Sequence, residues 1–68
     1  MAQAFAASQV VAEDGEYRVR ATRIATTDLL SVYVNRVKKL HSDSEEVIGV
    51  LRLQAGDVVE STGELTIE

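Results

Sequence analysis

The chain has 68 residues, no cysteine and only three aromatic side chains, and its formal net charge at pH 7 is −4. A chain of this length forms one domain and buries only about 60% of its unfolded surface. Because cysteine is absent, neither disulfides nor a cysteine-based zinc site stabilises it. Because aromatic residues are few, its core must be aliphatic. Small domains without such cross-links often depend on a second subunit, so we expect a homo-oligomer.

Nothing in the sequence directs the chain to a membrane. No apolar run approaches the roughly 18 residues that suggest a transmembrane helix. The N-terminal residues lack the basic and apolar regions of a signal peptide, so we expect a cytoplasmic protein. Residues 1–8 are small and weakly patterned, which predicts a flexible N-terminal arm. Residues 9–68 are predicted to form a single α+β domain.

Residues 8–24 have the pattern of a β-hairpin. Its turn is Asp14-Gly15, a pair that accepts positive φ at both positions, and extended residues flank it on both sides. Apolar and polar residues alternate in the second arm. The residues predicted to face the core are Tyr17, Val19 and Ala21.

The longest amphipathic pattern runs from Thr27 to His41. At about 100° per residue, one face, which we assign to the core, holds the apolar residues Leu29, Leu30, Tyr33, Val34, Val37 and Leu40. Apolar residues occur at both odd and even positions, which argues against a strand. Thr27 suits an N-cap, Asp28 suits the positive end of the helix dipole, and the basic residues before His41 suit the negative end. The pattern predicts a helix over residues 28–40 that packs its apolar face on a sheet.

A polar turn at residues 42–46 precedes a short apolar run, Val47–Leu53, for which periodicity does not decide between helix and strand. Its β-branched residues and Gly49 favour a strand, and its uniform apolarity favours a central strand buried on both faces. The alternative is a helix that ends at Gly56.

The C-terminal part has two further strand patterns. A turn is predicted at residues 54–57, and short strands are predicted at residues 58–61 and 64–68. In the last strand, Leu65 and Ile67 alternate with polar residues. The predicted fold is therefore α+β, in the order ββαβββ: an N-terminal β-hairpin, one central amphipathic helix, and short C-terminal strands in a mostly antiparallel sheet.

Charge is distributed unevenly along the chain. Residues 17–41 hold six basic residues and one acidic residue, whereas residues 42–68 hold seven acidic residues and one basic residue. Two interpretations remain open. The basic residues are either a solvated face that pairs with the acidic half within the fold, or a surface that binds an acidic partner. The candidate partner-binding residues are Arg18, Arg20, Arg36, Lys38 and Lys39.

Protein contacts are the class of function that these features favour. A charge-polarised surface steers association between complementary patches. We therefore predict a small acidic, non-enzymatic interaction module, a self-associating scaffold, adaptor or regulatory protein. The alternative is a weak nucleic-acid-binding regulator that uses the basic face of residues 18–39. The acidic net charge and the shortage of aromatic residues for base stacking argue against it.

Catalysis and metal binding have little support in the sequence. His41 is the sole imidazole, and at the predicted helix end it acts as a C-terminal cap. Asp43, Glu45 and Glu46 lack the spacing of a calcium loop, and no glycine-rich phosphate loop is present. We predict no catalytic, cofactor-binding or metal-binding residues.

Overall fold

The computed structural model of the protein describes residues 5–24 and 30–68, and in these residues the regular elements are all β-strands. The strands are β1 (Ala7–Val10), β2 (Gly15–Thr22), β3 (Leu30–Val34), β4 (Val37–Ser42), β5 (Glu46–Leu53), β6 (Val58–Ser61) and β7 (Glu64–Ile67). The predicted α+β class and the order ββαβββ are therefore wrong, and the fold is all-β.

The strands build two antiparallel sheets that pack face to face. The four-stranded sheet has the order β1-β6-β3-β4, and the three-stranded sheet has the order β5-β2-β7. Their inner faces share one aliphatic core, formed by Val11, Val19, Ala21, Leu30, Val32, Val34, Leu53 and Val59. The prediction of an aliphatic core is confirmed, and its burial is the main favourable term in folding.

The predicted helix over residues 28–40 is wrong. Residues 30–34 and 37–40 lie in β3 and β4, and the turn between these strands is Asn35-Arg36, with φ of 49° and 69°. Positive φ at both central residues defines a type I′ turn, whose twist matches that of antiparallel strands. The predicted N-cap Thr27 and its neighbour Asp28 lie outside the described residues.

β3 shows why the sequence pattern of this segment resembled that of a helix. Leu30, Val32 and Val34 face the core at alternate positions, as a strand requires. Tyr33 has the opposite parity and was expected in the core, but it packs on the outer face of the sheet against Phe5, with ring centroids 5.1 Å apart. An outward aromatic residue on a central strand removes the clean alternation that identifies strands.

The predicted N-terminal β-hairpin is also wrong. β1 pairs with β6 of the four-stranded sheet, whereas β2 pairs with β5 and β7 of the other sheet. The link between β1 and β2 instead crosses between the sheets, where Val11 is buried. Here the Val11 N–H donates to the Asp57 carbonyl at 3.0 Å, and the Ala55 N–H donates to the Asp14 carboxylate at 2.7 Å. The face predicted for Tyr17, Val19 and Ala21 is confirmed by their packing in or against the core.

β5 is a strand, as predicted, but it is not central. Among the described residues its one strand partner is β2, and half-buried and exposed residues alternate along it. The predicted turn at residues 54–57 is confirmed by a hydrogen bond from the Asp57 N–H to the Gln54 carbonyl and by Gly56 at φ 93°. The strands predicted at 58–61 and 64–68 are confirmed as β6 and β7, the second of which ends at Ile67.

The N-terminal arm predicted for residues 1–8 is only partly described. Residues 1–4 lie outside the described residues, and Ala7 and Ser8 belong to β1, where they pair with Ser61 and Glu60. Among residues 5–24 and 30–68 there is no helix of the length and hydropathy that crossing a bilayer requires.

Between β6 and β7 the chain crosses from the four-stranded sheet to the three-stranded sheet, and this crossing supplies a test of the packing. A Cβ atom on the buried Gly63 would overlap the carbonyl oxygen of Thr22 and would lie 2.8 Å from the Leu30 side chain. We expect Gly63→Ala to lower the free energy of unfolding by about 3 kcal/mol in urea titrations. Gly15→Ala is the matched control, because its Cβ would make only an ordinary 3.8 Å contact with Tyr17. Equal stability of the two variants would contradict the crossing described here.

The Asn35-Arg36 turn supplies a test of the hairpin. A left-handed conformation costs a non-glycine residue roughly 1–2 kcal/mol, and glycine avoids this cost. Glycine loses more backbone entropy on folding, so the net gain from the substitution is smaller. We expect Arg36→Gly to raise the free energy of unfolding by about 0.5–1 kcal/mol. In the interior of a helix the same change would lower it by about 1 kcal/mol, so the sign of the change in thermal unfolding separates the two structures.

Candidate functional site

The outer face of the three-stranded sheet combines exposed aliphatic and charged side chains. We define it by the outward residues Glu16, Arg18, Arg20, Thr22, Glu46, Ile48, Val50, Arg52, Glu64, Thr66 and Glu68. Ile48 is 54% exposed and Val50 is 60% exposed, and they lie directly opposite Arg20 and Arg18 in the register of β5 and β2. These two aliphatic residues are neighbours on one face of the strand and are rimmed by charges, so they form a small apolar patch with a polar border.

One edge of this sheet carries backbone groups without a strand partner among the described residues. Arg18 exchanges two hydrogen bonds with Glu68 on the β7 side, at 3.1 and 2.9 Å, and the Arg23 N–H donates to Glu45 on the β5 side at 2.7 Å. Because backbone groups alternate between the two sides of an antiparallel strand, the even-numbered residues of β5 point away from β2. We call this the β5 edge, formed by the N–H and C=O groups of Glu46, Ile48, Val50 and Arg52.

Charges within the outer face are partly paired. The Arg20 Nε donates to Glu46 Oε2 at 2.6 Å, and the two groups also form a salt bridge. Both side chains are exposed, so the pair contributes about 1 kcal/mol or less to stability. The interpretation in which basic residues pair with the acidic half within the fold is therefore correct for Arg20. Arg18 lies across from Glu68 in the same face.

The five predicted partner-binding residues do not share one surface. Arg18 and Arg20 lie on the outer face of the three-stranded sheet. Lys38 lies on the outer face of the other sheet, with its Nζ 5.9 Å from the centre of the Tyr33 ring. Arg36 lies in the turn between β3 and β4. Their role in partner binding stays a prediction, but a single basic patch that includes all of them does not form.

A groove opens between the edges of the two sheets, where β4 and β5 approach each other. It has a volume of about 710 Å³, and its walls include the apolar side chains of Val34, Val37 and Leu53. Lys39 and Arg52 border it, so the predicted residue Lys39 lies beside β5 rather than beside Arg18 and Arg20. At the C-terminal end of β5, the groove exposes the side of the strand that faces the other sheet.

The end of the groove is fixed by the side chains of Asn35 and Asp57. The Asn35 amide donates to Asp57 Oδ1 at 3.0 Å, and its own carbonyl oxygen accepts from the Val58 N–H at 3.0 Å. The Gln54 N–H donates to Asp57 Oδ2 at 2.9 Å. The pKa of Asp57 is lowered, first by the hydrogen bond from the Gln54 backbone and then by that from Asn35, with burial opposing. These contacts hold the β3–β4 turn against the loop after β5.

The described residues include no group of three or more histidine, cysteine, aspartate or glutamate side chains placed to hold a metal ion. His41, expected as a helix cap, is exposed in β4 and pairs with Ser31 across the strands. What the described surface offers chemically is backbone hydrogen bonding along β5, aliphatic contact and charge pairing. This combination suits recognition of another polypeptide.

Ile48 and Val50 are the surface residues that the sequence did not identify. The run Val47–Leu53 is apolar at both parities, which indicated burial on both faces. Two signals favoured an edge strand instead: Arg52 shares their parity, and Gly49 interrupts the opposite face. Comparison of the chain with protein-family models, with characterised proteins and with solved structures gives no match.

The hydrogen bonds of Asp57 predict a pH dependence of stability. Because its pKa is lowered in the folded state, its stabilising effect is complete above the ordinary value of 3.8 and is lost as the pH falls through the lower folded pKa. We expect Asp57→Asn to lower the Tm at pH 7, and the difference from the wild type to shrink only as the pH falls from 3.8 through the lower folded pKa. Asp43→Asn, which removes the same charge from the exposed link after β4, is the control. A Tm difference that is constant from pH 7 to pH 2 would contradict this role.

Proposed function

We propose that the protein is a small, non-enzymatic interaction module that self-associates through the β5 edge and the outer face of the three-stranded sheet. The observation that supports the proposal best is β5 itself, an eight-residue strand with two exposed aliphatic residues and, among residues 5–24 and 30–68, a strand partner on one side. A strand edge of this kind is a template for addition of a further strand. Scaffold, adaptor and regulatory roles all use such a surface.

The mixed charges of the outer face favour a protein partner over nucleic acid. A phosphate-binding surface needs several cations on one face, and its affinity comes largely from release of counterions. Here Arg18 and Arg20 stand among Glu46, Glu64 and Glu68, and Lys38 belongs to the other sheet. Nucleic-acid binding is therefore the less favoured alternative, and binding to heparin distinguishes it from self-association.

The cytoplasmic location expected from the sequence belongs to the same proposal. Backbone pairing and aliphatic contact through β5 require no disulfide and no metal, so a reducing compartment is compatible with this surface.

Sedimentation velocity at increasing protein concentration tests self-association. We expect the average mass of the wild type to rise with concentration and Ile48→Lys to weaken association about tenfold or more, because a cation then replaces an aliphatic contact at the centre of β5. The control is Val10→Lys, which places the same charge at a valine that is 64% exposed on β1 of the other sheet. We expect this variant to associate as the wild type does.

Two results would contradict the proposed function. One is a wild type that stays monomeric up to millimolar concentration. The other is retention on heparin with a steep salt dependence together with a constant mass, which would favour the nucleic-acid alternative. Thermal unfolding of each variant confirms that Ile48→Lys and Val10→Lys remain folded.

A further inference from the structure

We propose that two copies of this chain pair β5 with β5 in antiparallel orientation about a two-fold axis at Gly49, so that Glu46 of each copy lies opposite Arg52 of the other. The inference rests on the proposed function and names both the partner and the register. It joins the two three-stranded sheets into one continuous sheet, with the outer faces of both copies on the same side.

The direction of the backbone groups permits this pairing. On the β5 edge the free N–H and C=O groups belong to the even-numbered residues, as the hydrogen bonds of Arg18 and Arg23 require. Two antiparallel edges exchange hydrogen bonds only where an outward-pointing residue meets an outward-pointing residue. A two-fold axis at Gly49 places Ile48 opposite Val50 of the second copy, and Glu46 opposite Arg52, so that every pair satisfies this condition.

Charge and apolar contact select one register from those that the backbone allows. With the axis at Gly49, both ends of the paired strands hold a carboxylate opposite a guanidinium, and the centre holds two pairs of Ile48 with Val50. A slip of two residues in one direction puts Glu46 opposite Val50. A slip in the other direction puts Arg52 opposite Ile48. Only the central register satisfies both kinds of side chain, because cross-strand neighbours of matched chemistry stabilise a sheet.

The other strand edges among the described residues lack this self-complementarity. β4 carries Lys38 and Lys39 with no acidic residue, and a register shift interrupts its pairing with β3. β7 carries Glu64 with no basic residue, and β1 has four residues and no charge. Like charges directly across a pair of strands are unfavourable, and irregular or short edges resist pairing. β5 is therefore the edge best suited to a second copy.

The inner side of β5 is also compatible with the two-fold axis. Gly49 has no side chain, and the Leu40 side chain occupies the space beneath it, since a Cβ there would lie 2.7 Å from Leu40. In the proposed register Val47 of the second copy lies opposite Leu51, which lines the groove between the sheets. Pairing thus covers part of the apolar wall that the groove leaves open.

A charge exchange between copies tests the register. Glu46→Arg alone places two cation pairs across the axis, and Arg52→Glu alone places two carboxylate pairs there, so we expect each variant to self-associate about tenfold more weakly than the wild type. An equimolar mixture of the two variants restores an opposite-charge pair at both ends. We therefore expect the mixture to form a heterodimer with an affinity near that of the wild-type homodimer in sedimentation velocity.

The intrachain salt bridge needs a control in this experiment, because Glu46 also contacts Arg20. Arg20→Gln removes that contact without changing either charge of the proposed interface. We expect it to leave self-association at least as strong as in the wild type, since Glu46 is then free for Arg52 of the second copy. Weakened association of Arg20→Gln, with both single variants unaffected, would overturn the register.

Cysteine cross-linking gives a readout that does not depend on charge. The wild type has no cysteine, and residues in a hydrogen-bonded antiparallel pair have Cα atoms about 5.5 Å apart, within the range of a disulfide. Under mild oxidation we expect a mixture of Ile48→Cys and Val50→Cys to form a covalent heterodimer several times faster than either variant forms a homodimer.

The outcomes separate this inference from the proposed function. If the wild type associates but the mixed charge variants do not recover and the two cysteine variants show no preference for each other, the register is wrong and self-association stands. If the wild type does not associate, both fail. Recovery of the mixture together with preferential cross-linking between positions 48 and 50 supports the inference.

Discussion

The structure depends on one dry contact between the sheets, where the inner face of β2 meets the inner face of β3. Val19 and Ala21 are fully buried on the first strand, and so is Val32 on the second. All three side chains are small or β-branched and apolar, so the sheets can approach closely and none of the three brings a polar group that needs a partner. With β2 and β3 in contact in this way, β5 and β7 pair on either side of β2, and among the described residues β5 lies at an edge of its sheet.

Local strand patterns were readable in the sequence, but the long-range pairing was not. The alternation in β2 and β7, the β-branched run of β5 and the Gly56 turn each have a local physical cause, and each was predicted correctly. The choice of β6 rather than β2 as the neighbour of β1 depends on contacts between distant segments. Asp14-Gly15 favours a hairpin locally, yet burial of Val11 between the sheets overrides that preference.

The false helix has a different origin. Spacings of three and four residues place Leu30, Val34 and Val37 on one side of a helix, and the same residues also fit two strands joined by a two-residue turn. The discriminating signals were the β-branched valines and Asn35, which tolerates a left-handed conformation. The candidate basic surface combined Arg18 and Arg20 of the predicted N-terminal hairpin with basic residues of the helix. Its residues separated because β2 and β4 belong to different sheets. The exposed residues of β5 were missed because apolarity at both parities indicated burial.

The non-local pairing of the three-stranded sheet has a consequence for when the chain can associate. β2 finds both of its neighbours far along the sequence, in β5 and β7. Closing such long loops costs entropy before any contact compensates for it, so we expect these pairings to form after the local β3–β4 hairpin. An incompletely folded chain then has no correctly spaced row of outward N–H and C=O groups along β5. A partner that recognises this row would therefore bind folded molecules and would not bind incompletely folded ones.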